Sequence, residues 1–241
     1  MTSISIVIPA RNEAKNIGAL VQAIYAAMKH HAPFEIIVID DGSTDETSAK
    51  VHDLAMPHVR LLRHPNSAGQ SAAVHTGVLA AISTVICTLD GDGQNPPEEL
   101  PKLVAPLLAD VTGKIGLVAG QRVKRQDTWS KKIASRLANA LRGWLLKDGT
   151  RDTGCGLKAF RREAFLALPY FDHMHRYLPA LFARDGWQVV HVDVSHKPRI
   201  AGTSNYSNLQ RALVGVVDLL GVAWLLRRRK KANALPEERY V

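Results

Sequence analysis

The chain has 241 residues, 46% of them hydrophobic, enough to bury one good-sized core, so a single α/β domain with a tail is the expected architecture and long-range disorder is excluded. Lys and Arg number 31 against 22 Asp and Glu, a net charge of +9, which favours polyanionic partners: phosphates, nucleic acid or an acidic membrane face. Aromatics make up only 6% and no RNA- or DNA-binding motif is present, so nucleic acid is set aside.

In chain order, the first β-rich run is Ser3 to Pro9. It reaches a proline and charged residues too soon for a signal peptide, so the chain is expected to face the cytoplasm. Ala14 to His30 carries Ile17, Leu20, Val21, Ile24 and Met28 at helical spacing. Further strands are expected at Glu35 to Asp40, Val59 to His64, Thr84 to Asp90 and Ile115 to Gln121. Between them, Ser43 with Glu46 reads as a capping box for a second helix and Asn66 as the cap of a third. Such alternation implies a parallel sheet covered by helices, with functional side chains at the carboxyl ends of the strands. "IIVIDDGSTD" and "VICTLDGDGQ" both end in acids followed by glycine, so their acidic ends are expected along one edge.

The second half is less regular. A basic helix (Ser130 to Leu146), a Gly-rich turn (Gly149 to Gly156), a helical pair and a strand (Val189 to Val194) precede "KPRIAGTSNYSN". Cys87 and Cys155 lie far apart and neither sits in a CxxC, which reads as two inert buried thiols in a reduced compartment. The 15 residues Ala212 to Leu226 contain one acid, Asp218, and at ~1.5 Å per residue fall short of a ~30 Å hydrocarbon core. They are expected to lie on a membrane or pack on the domain.

The stretch "TLDGDGQNPPEEL" carries most of the chemistry. In an extended chain Asp90, Asp92 and Gln94 would project to one side, while Gly91 and Gly93 let a ligand approach the backbone. Three oxygen donors suit Mg2+ or Mn2+ with positions left open for substrate phosphates. The alternative is a chain reversal followed by a solvated helix start at Glu98 and Glu99. An EF-hand fails, because Asn95 stands where its glycine should be and Pro101 where its closing glutamate should be. "GCGLKA" fits a dinucleotide fingerprint only superficially, because "KDGTRDT" rather than an apolar strand precedes it.

Over roughly residues 3 to 206 the chain resembles the family 2 glycosyltransferases of GT-A fold, and within them the dolichol-phosphate mannose synthase-like polyprenyl-phosphate sugar transferases. The resemblance rests on an ordered set: "VIPARNEAKNI", "VIDDGSTDET", "NSAGQSAAVHTG", "LDGDGQNPPEEL", "GQR", "DTGCGLKAFRREAF", "HRYLPALFARDGWQVVHVDVSHKPR" and "GTSNY". It implies a Rossmann-like, mixed and mainly parallel sheet flanked by helices, in a domain of residues 1–206 followed by a C-terminal amphipathic helix and tail, 207–241. It implies that Pro9, Ala10, Glu13 and Asp41 bound the donor nucleotide's pocket and that Asp90, Asp92 and Gln94 hold a metal against the diphosphate. Arg122, Arg136 and Arg199 would meet donor and acceptor phosphates, Lys132 could take the place of Arg136, and Ser204 and Tyr206 would lie near the acceptor. Arginine suits such contacts because its planar fork binds phosphate oxygens in pairs. Two departures stand out: Asn205 where relatives commonly carry lysine, and "GCGLKAF" at the floor of the sugar pocket.

The implied reaction is metal-dependent, inverting transfer of a hexose of mannose or glucose type from a nucleotide sugar to polyprenyl phosphate. A hydroxyl acceptor would need a carboxylate base, whereas a lipid monophosphate, with a second pKa of about 6, arrives as an oxyanion. Where a base would stand, "PYFDHMHRYLPAL" offers Asp172 but is dominated by His173, His175 and Arg176, which favours the phosphate. Transfer to a saccharide or glycolipid hydroxyl and a non-catalytic nucleotide-binding role are the competing readings. The run Arg227 to Lys231 after the apolar stretch adds an anionic membrane surface as a peripheral partner at the inner face of the membrane, and a second copy of the chain is an open possibility.

Overall fold

Strands buried on both faces need apolar residues at nearly every position, and the Ile- and Val-rich runs of the first half meet that need. β1 (Ile4–Ala10), β2 (Phe34–Asp41) and β4 (Val85–Thr88) are buried along almost their whole length. In the computed structural model, which describes residues 3–123, 142–146, 148–197 and 208–228, they form the centre of one seven-stranded sheet. With β3 (Val59–His64), β5 (Ile115–Arg122), β6 (Lys158–Arg161) and β7 (Gln188–Val194) the order is β3-β2-β1-β4-β6-β5-β7. β6 runs antiparallel to both β4 and β5, and every other pair is parallel.

The register decides where functional groups meet. Ala10 lies opposite Asp40, and Asp40 opposite Arg63, so the loops that follow β1, β2 and β3 leave the same edge. Antiparallel β6 places its first residue, Lys158, opposite Thr88 of β4 and Ala119 of β5. A side chain from the second half of the sequence therefore enters at the edge where Asp90 follows β4.

Alternation along each strand divides the core between two faces. Ile4, Ile6 and Ile8 pack with Ile36 and Val38 against α1 (Ile17–Met28) and α4 (Leu100–Ala109). Helix α1 buries Ile17, Leu20, Val21, Ile24 and Met28, the stripe expected from their spacing. Each such side chain contributes about 1.5–3 kcal/mol on full burial. On the other face, Val7, Ile37, Ile39, Leu117 and Phe160 pack against α3 (Gln70–Ala80), α5 (Arg162–Leu166), α6 (Leu178–Arg184) and α7 (Asn208–Arg227). Phe160 stacks on Phe165 with ring centroids 4.8 Å apart. Both cysteines are free and buried on the face that packs against α1 and α4, and burial pushes the Cys87 thiol up to about 12.

Four expectations need correction. Ser43 and Glu46 make no capping box: at the start of helix α2 (Thr47–His52) the Glu46 side chain makes no cap bond, Asp45 accepts the Thr47 N–H at 3.0 Å, and the Ser43 hydroxyl accepts the Asn12 N–H instead. Helix α3 starts at Gln70 with Gly69 at its cap position, so Asn66 does not cap it. The four residues of β6 lay inside a segment read only as a turn and helices. The C-terminal helix has 20 residues rather than 15, yet among the described residues no helix is long and apolar enough to cross a membrane.

Gly77 of α3 sits directly on β1. A β-carbon there would stand 2.4 Å from Cγ1 of Val7, a side chain that β-branching keeps stiff. Gly77→Ala would gain about 1 kcal/mol of helix propensity and lose about 1–3 kcal/mol to overpacking, so the clash decides the sign. The expected outcome is a lower urea midpoint with an unchanged m-value. Gly18→Ala in α1, where nothing lies within 4 Å, should raise the midpoint or leave it unchanged.

Candidate active site

Three loops leave the carboxyl edge of the sheet and brace one another. After β1, Asn12 adopts a left-handed conformation, its N–H donates to the Ser43 hydroxyl at 2.9 Å, and its own side-chain oxygen accepts the Thr44 N–H at 2.9 Å. Glu13 N–H donates to the Thr47 hydroxyl at 2.9 Å, and Ala14 N–H to Asp45 at 3.2 Å. The hydroxyl- and acid-rich "DDGSTDET" thus satisfies backbone donors of a loop about thirty residues away in sequence.

Asp41 holds the third loop. Its carboxylate accepts from His64 Nδ1 (2.8 Å), the Ser67 hydroxyl (2.7 Å), and the N–H groups of Ala68 (2.8 Å) and Gly69 (2.9 Å). Burial pushes this carboxyl up, but the four donors more than offset it, so it is held below the usual aspartate range. Gly42 makes the approach possible: φ is +66°, and a β-carbon would stand 2.6 Å from the Ser67 nitrogen.

Asp90 and Asp92 follow β4 on a turn, not on an extended strand as the alternation argument assumed, because the ladder ends at Thr88. Asp90 accepts from Gln70 Nε2 at 2.8 Å and from Asn95 Nδ2 at 3.2 Å, and Asp92 accepts the Gln94 N–H at 3.1 Å. Burial, and then the charge of Asp92, push the Asp90 carboxyl up; Lys158, Asn95 and Arg122 offset this only in part. At the end of β5, Arg122 meets Asp152 in a paired contact of 2.6 and 2.8 Å, which holds its guanidinium in place.

These elements enclose a groove of about 550 Å³. Pro9, Ala10, Glu13, Asp41, Asp90, Asp92, Gln94 and Arg122 all line it. Lys132, Arg136, Arg199, Ser204 and Tyr206 lie outside the described residues. Arg11, Gln70, Asn95 and His196 also line the groove and had not been singled out. Gln70 lay within "NSAGQSAAVHTG", but only folding shows that its amide reaches Asp90, twenty residues away.

The donor set can be tested against a metal. Among the described residues, no group of three or more His, Cys, Asp or Glu could enclose an ion. Two crowded carboxylates with an amide oxygen nearby on Gln94 fit a hard dication that keeps positions open for a ligand. The unfavourable charge on Asp90 is what such an ion would relieve.

Behind Asp90 lies a second, more enclosed cavity of about 390 Å³, lined by Gln70, Thr153, Gly156, Lys158, His175 and Arg176 among others. Gly156 has no room for a side chain, since a β-carbon would stand 2.3 Å from an Asp90 carboxylate oxygen. That contact explains the second glycine of "GCGLKAF". The His175 ring bonds the Ser71 hydroxyl at 2.7 Å, and burial followed by nearby Lys158 and Arg176 pulls its pKa well below the ordinary value. His175 is therefore neutral near pH 7 and His173 pairs with Asp218 instead, so of the expected cluster only Arg176 brings a charge to this cavity, where Lys158, not singled out in the sequence, joins it. Asp172 lines neither cavity.

The sequence pattern described as "Glycosyl transferase family 2" matches residues 5–168. Undecaprenyl-phosphate 4-deoxy-4-formamido-L-arabinose transferase of Pectobacterium carotovorum subsp. carotovorum (strain PC1) is 33% identical over 86% of this chain, which spans 64% of that protein's length. Dodecaprenyl-phosphate galacturonate synthase of Rhizobium johnstonii (strain DSM 114642 / LMG 32736 / 3841) is 33% identical over 95% of the chain and 68% of that protein. Glucosyl-3-phosphoglycerate synthase from Mycobacterium tuberculosis, solved with Mn2+, uridine diphosphate and glucosyl-3-phosphoglycerate, superposes with a TM-score of 0.70 at 20% identity, covering 93% of this chain and 80% of that one. This last likeness shows the shared fold.

The raised Asp90 pKa gives a sign. A carboxyl raised in the folded state contributes stability below its unfolded pKa and loses it as pH rises through the folded value. With a chelator present, Asp90→Asn should therefore melt higher than wild type at pH 7, by a few degrees, and the difference should shrink as pH falls. Thermal unfolding across pH measures this, and a gap that widens toward acid would contradict the assignment.

Proposed function

Because the chain belongs to glycosyl transferase family 2, we propose that it transfers a sugar from a nucleotide-diphosphate sugar to a polyprenyl phosphate, with inversion, the sugar being in our reading a hexose of mannose or glucose type. The observation that carries this reading is the single groove in which Asp90, Asp92, Gln94 and Arg122 face Pro9, Ala10, Glu13 and Asp41. Relatives named for undecaprenyl-phosphate and dodecaprenyl-phosphate products support the lipid phosphate as acceptor.

In this reading the loops after β1 and β2 grip the nucleotide, their backbone held by Ser43, Thr47 and Asp45. Asp90 and Asp92, with Gln94, would hold Mg2+ or Mn2+, which supplies neutralisation of the charge growing on the leaving diphosphate. Arg122 adds a guanidinium pre-oriented by Asp152, so it needs no rearrangement as that charge develops. In one displacement the bond from the anomeric carbon to the diphosphate oxygen breaks, its electron pair leaving with the diphosphate. A bond to the acceptor phosphate oxygen forms on the opposite face, which inverts the centre. No general base is needed for a phosphate oxyanion, in keeping with Asp172 lying outside both cavities. Arg199, Lys132, Arg136, Ser204 and Tyr206 are assigned to the transfer and acceptor side.

The acceptor lipid places the protein at a membrane, and we propose peripheral attachment to the anionic inner face through α7. One face of this helix turns Val222 and Ala223 into the core, and the other leaves Val217, Leu220 and Trp224 at 69, 62 and 59% exposure. Trp144 is 72% exposed, and Arg227 and Arg228 follow the apolar face. Aromatic and basic residues together suit the headgroup boundary, each basic residue adding about 1 kcal/mol near an anionic surface.

The transfer is tested with purified protein, Mg2+ or Mn2+, labelled nucleotide sugars and undecaprenyl phosphate. Label should enter the lipid phase, and Asp92→Ala should cut it by about 100-fold or more. No lipid-extractable label with any donor would remove the function, and full activity in Asp92→Ala would remove the metal role. The attachment is tested by flotation with anionic vesicles. Leu220→Ser with Trp224→Ser, both at exposed sites, should lower the bound fraction about tenfold, and unchanged flotation would overturn it.

A further inference from the structure

The two cavities meet at Asp90 but carry opposite charge. The outer groove is lined by four carboxylates, Glu13, Asp41, Asp90 and Asp92, against two arginines, Arg11 and Arg122. The inner cavity has one carboxylate, Asp90, against two cations, Lys158 and Arg176. An outer groove with excess negative charge fits a diphosphate that arrives with a cation. An inner cavity with excess positive charge fits an anion without one.

The partners of these cations sharpen the point. Arg122, Arg142 and Arg161 each pair with an aspartate: Asp152, Asp148 and Asp110. Arg176 has no side-chain hydrogen bond or ion pair with any described residue, although it is half-buried and lines the cavity. Lys158 is buried at the floor and donates to the Cys155 carbonyl; Asp90 opposes its charge without an ion-pair contact, and burial pulls the Lys158 pKa below the ordinary lysine value. Half-burying the Arg176 guanidinium with no carboxylate in contact is unfavourable, and a bound anion removes that cost. Thr153 and Gln70 add neutral polar groups, and at about 390 Å³ the space is of ligand size. His175 is held by Ser71 and keeps Arg176, its neighbour in the loop, beside the cavity.

We propose that the inner cavity binds an oxyanion, a carboxylate or a phosphate monoester, and that Arg176 is the residue that contacts it, with Lys158 at the floor behind. The proposal rests on the donor reading above: with the diphosphate in the outer groove, the space past Asp90 receives the sugar and whatever reacts with it. Two sources share this chemistry. One is the terminal phosphate of the acceptor lipid, and the other is an acid group carried by the transferred sugar.

Equilibrium binding to the full chain in the presence of Mn2+ separates them, with farnesyl phosphate, galacturonate, galactose and uridine diphosphate as probes. Wild type should bind an oxyanion probe in preference to galactose. Arg176→Gln should weaken that probe about tenfold or more, Arg176→Lys should restore part of the affinity, and uridine diphosphate should stay within about twofold. Loss confined to farnesyl phosphate assigns the cavity to the acceptor, and loss confined to galacturonate assigns it to an acidic sugar. In wild type the effective probe should also slow phenylglyoxal labelling of Arg176, read by mass spectrometry, while galactose should not, a measurement that needs no variant. Unchanged oxyanion affinity in Arg176→Gln together with unprotected Arg176 overturns the proposal, as does equal weakening of all four probes. Failure of uridine diphosphate to bind wild type would instead count against the donor groove, leaving the oxyanion result intact.

Discussion

Two aspartates separated by one glycine, at the edge of a sheet, repel each other, and the architecture around them is arranged to hold that repulsion. Asp90 lies among buried neighbours, which worsens its charge, and Asp92 worsens it further. Lys158, Arg122 and Asn95 supply part of the compensation, each from a different element. Glycine at 156 is required simply because the Asp90 carboxylate already fills the space that a β-carbon would need. The remaining imbalance is what a divalent cation and a diphosphate would resolve, which is the electrostatic character of a site built for a charged ligand.

The loops around this pair are rigid by mutual bonding. Asp40 accepts the Ser43 N–H at 2.8 Å, Ser43 in turn accepts from Asn12, and Thr47 from Glu13. Asp41 gathers four donors from the strand and loop that follow it. Acids that look like ligands in a linear reading are in large part scaffolding. Asp41 borders the groove, yet its carboxylate is occupied in holding the third loop. This preorganisation matters because a loop fixed before the ligand arrives loses less entropy on binding.

Much of the fold was legible because its signals are local. The stripe from Ile17 to Met28 repeats every three to four residues, and the apolar runs of β1 and β2 are long enough to exclude a surface strand. The D-x-D stretch was legible as chemistry, though its geometry was not: the ladder stops at Thr88, so the aspartates share the groove through a turn. The supposed capping box failed for the opposite reason. Its spacing was right, but a loop thirty-one residues away competes for the Ser43 hydroxyl.

The layered α/β class and the carboxyl-edge position of the acids follow from local pattern, and the family resemblance picked out Pro9, Ala10, Glu13, Asp41, Asp90, Asp92, Gln94 and Arg122, which share a groove. The second cavity forms only through long-range packing. β6 has four residues, too few to show a period, and it finds its place only by pairing with β4 and β5 across more than thirty residues of chain. That pairing sets Lys158 at the edge where Asp90 sits, and the packing of α6 and its preceding loop brings Arg176 beside it. Contacts between residues so distant in sequence leave no local pattern, because what selects them is the burial and charge balance of the folded whole.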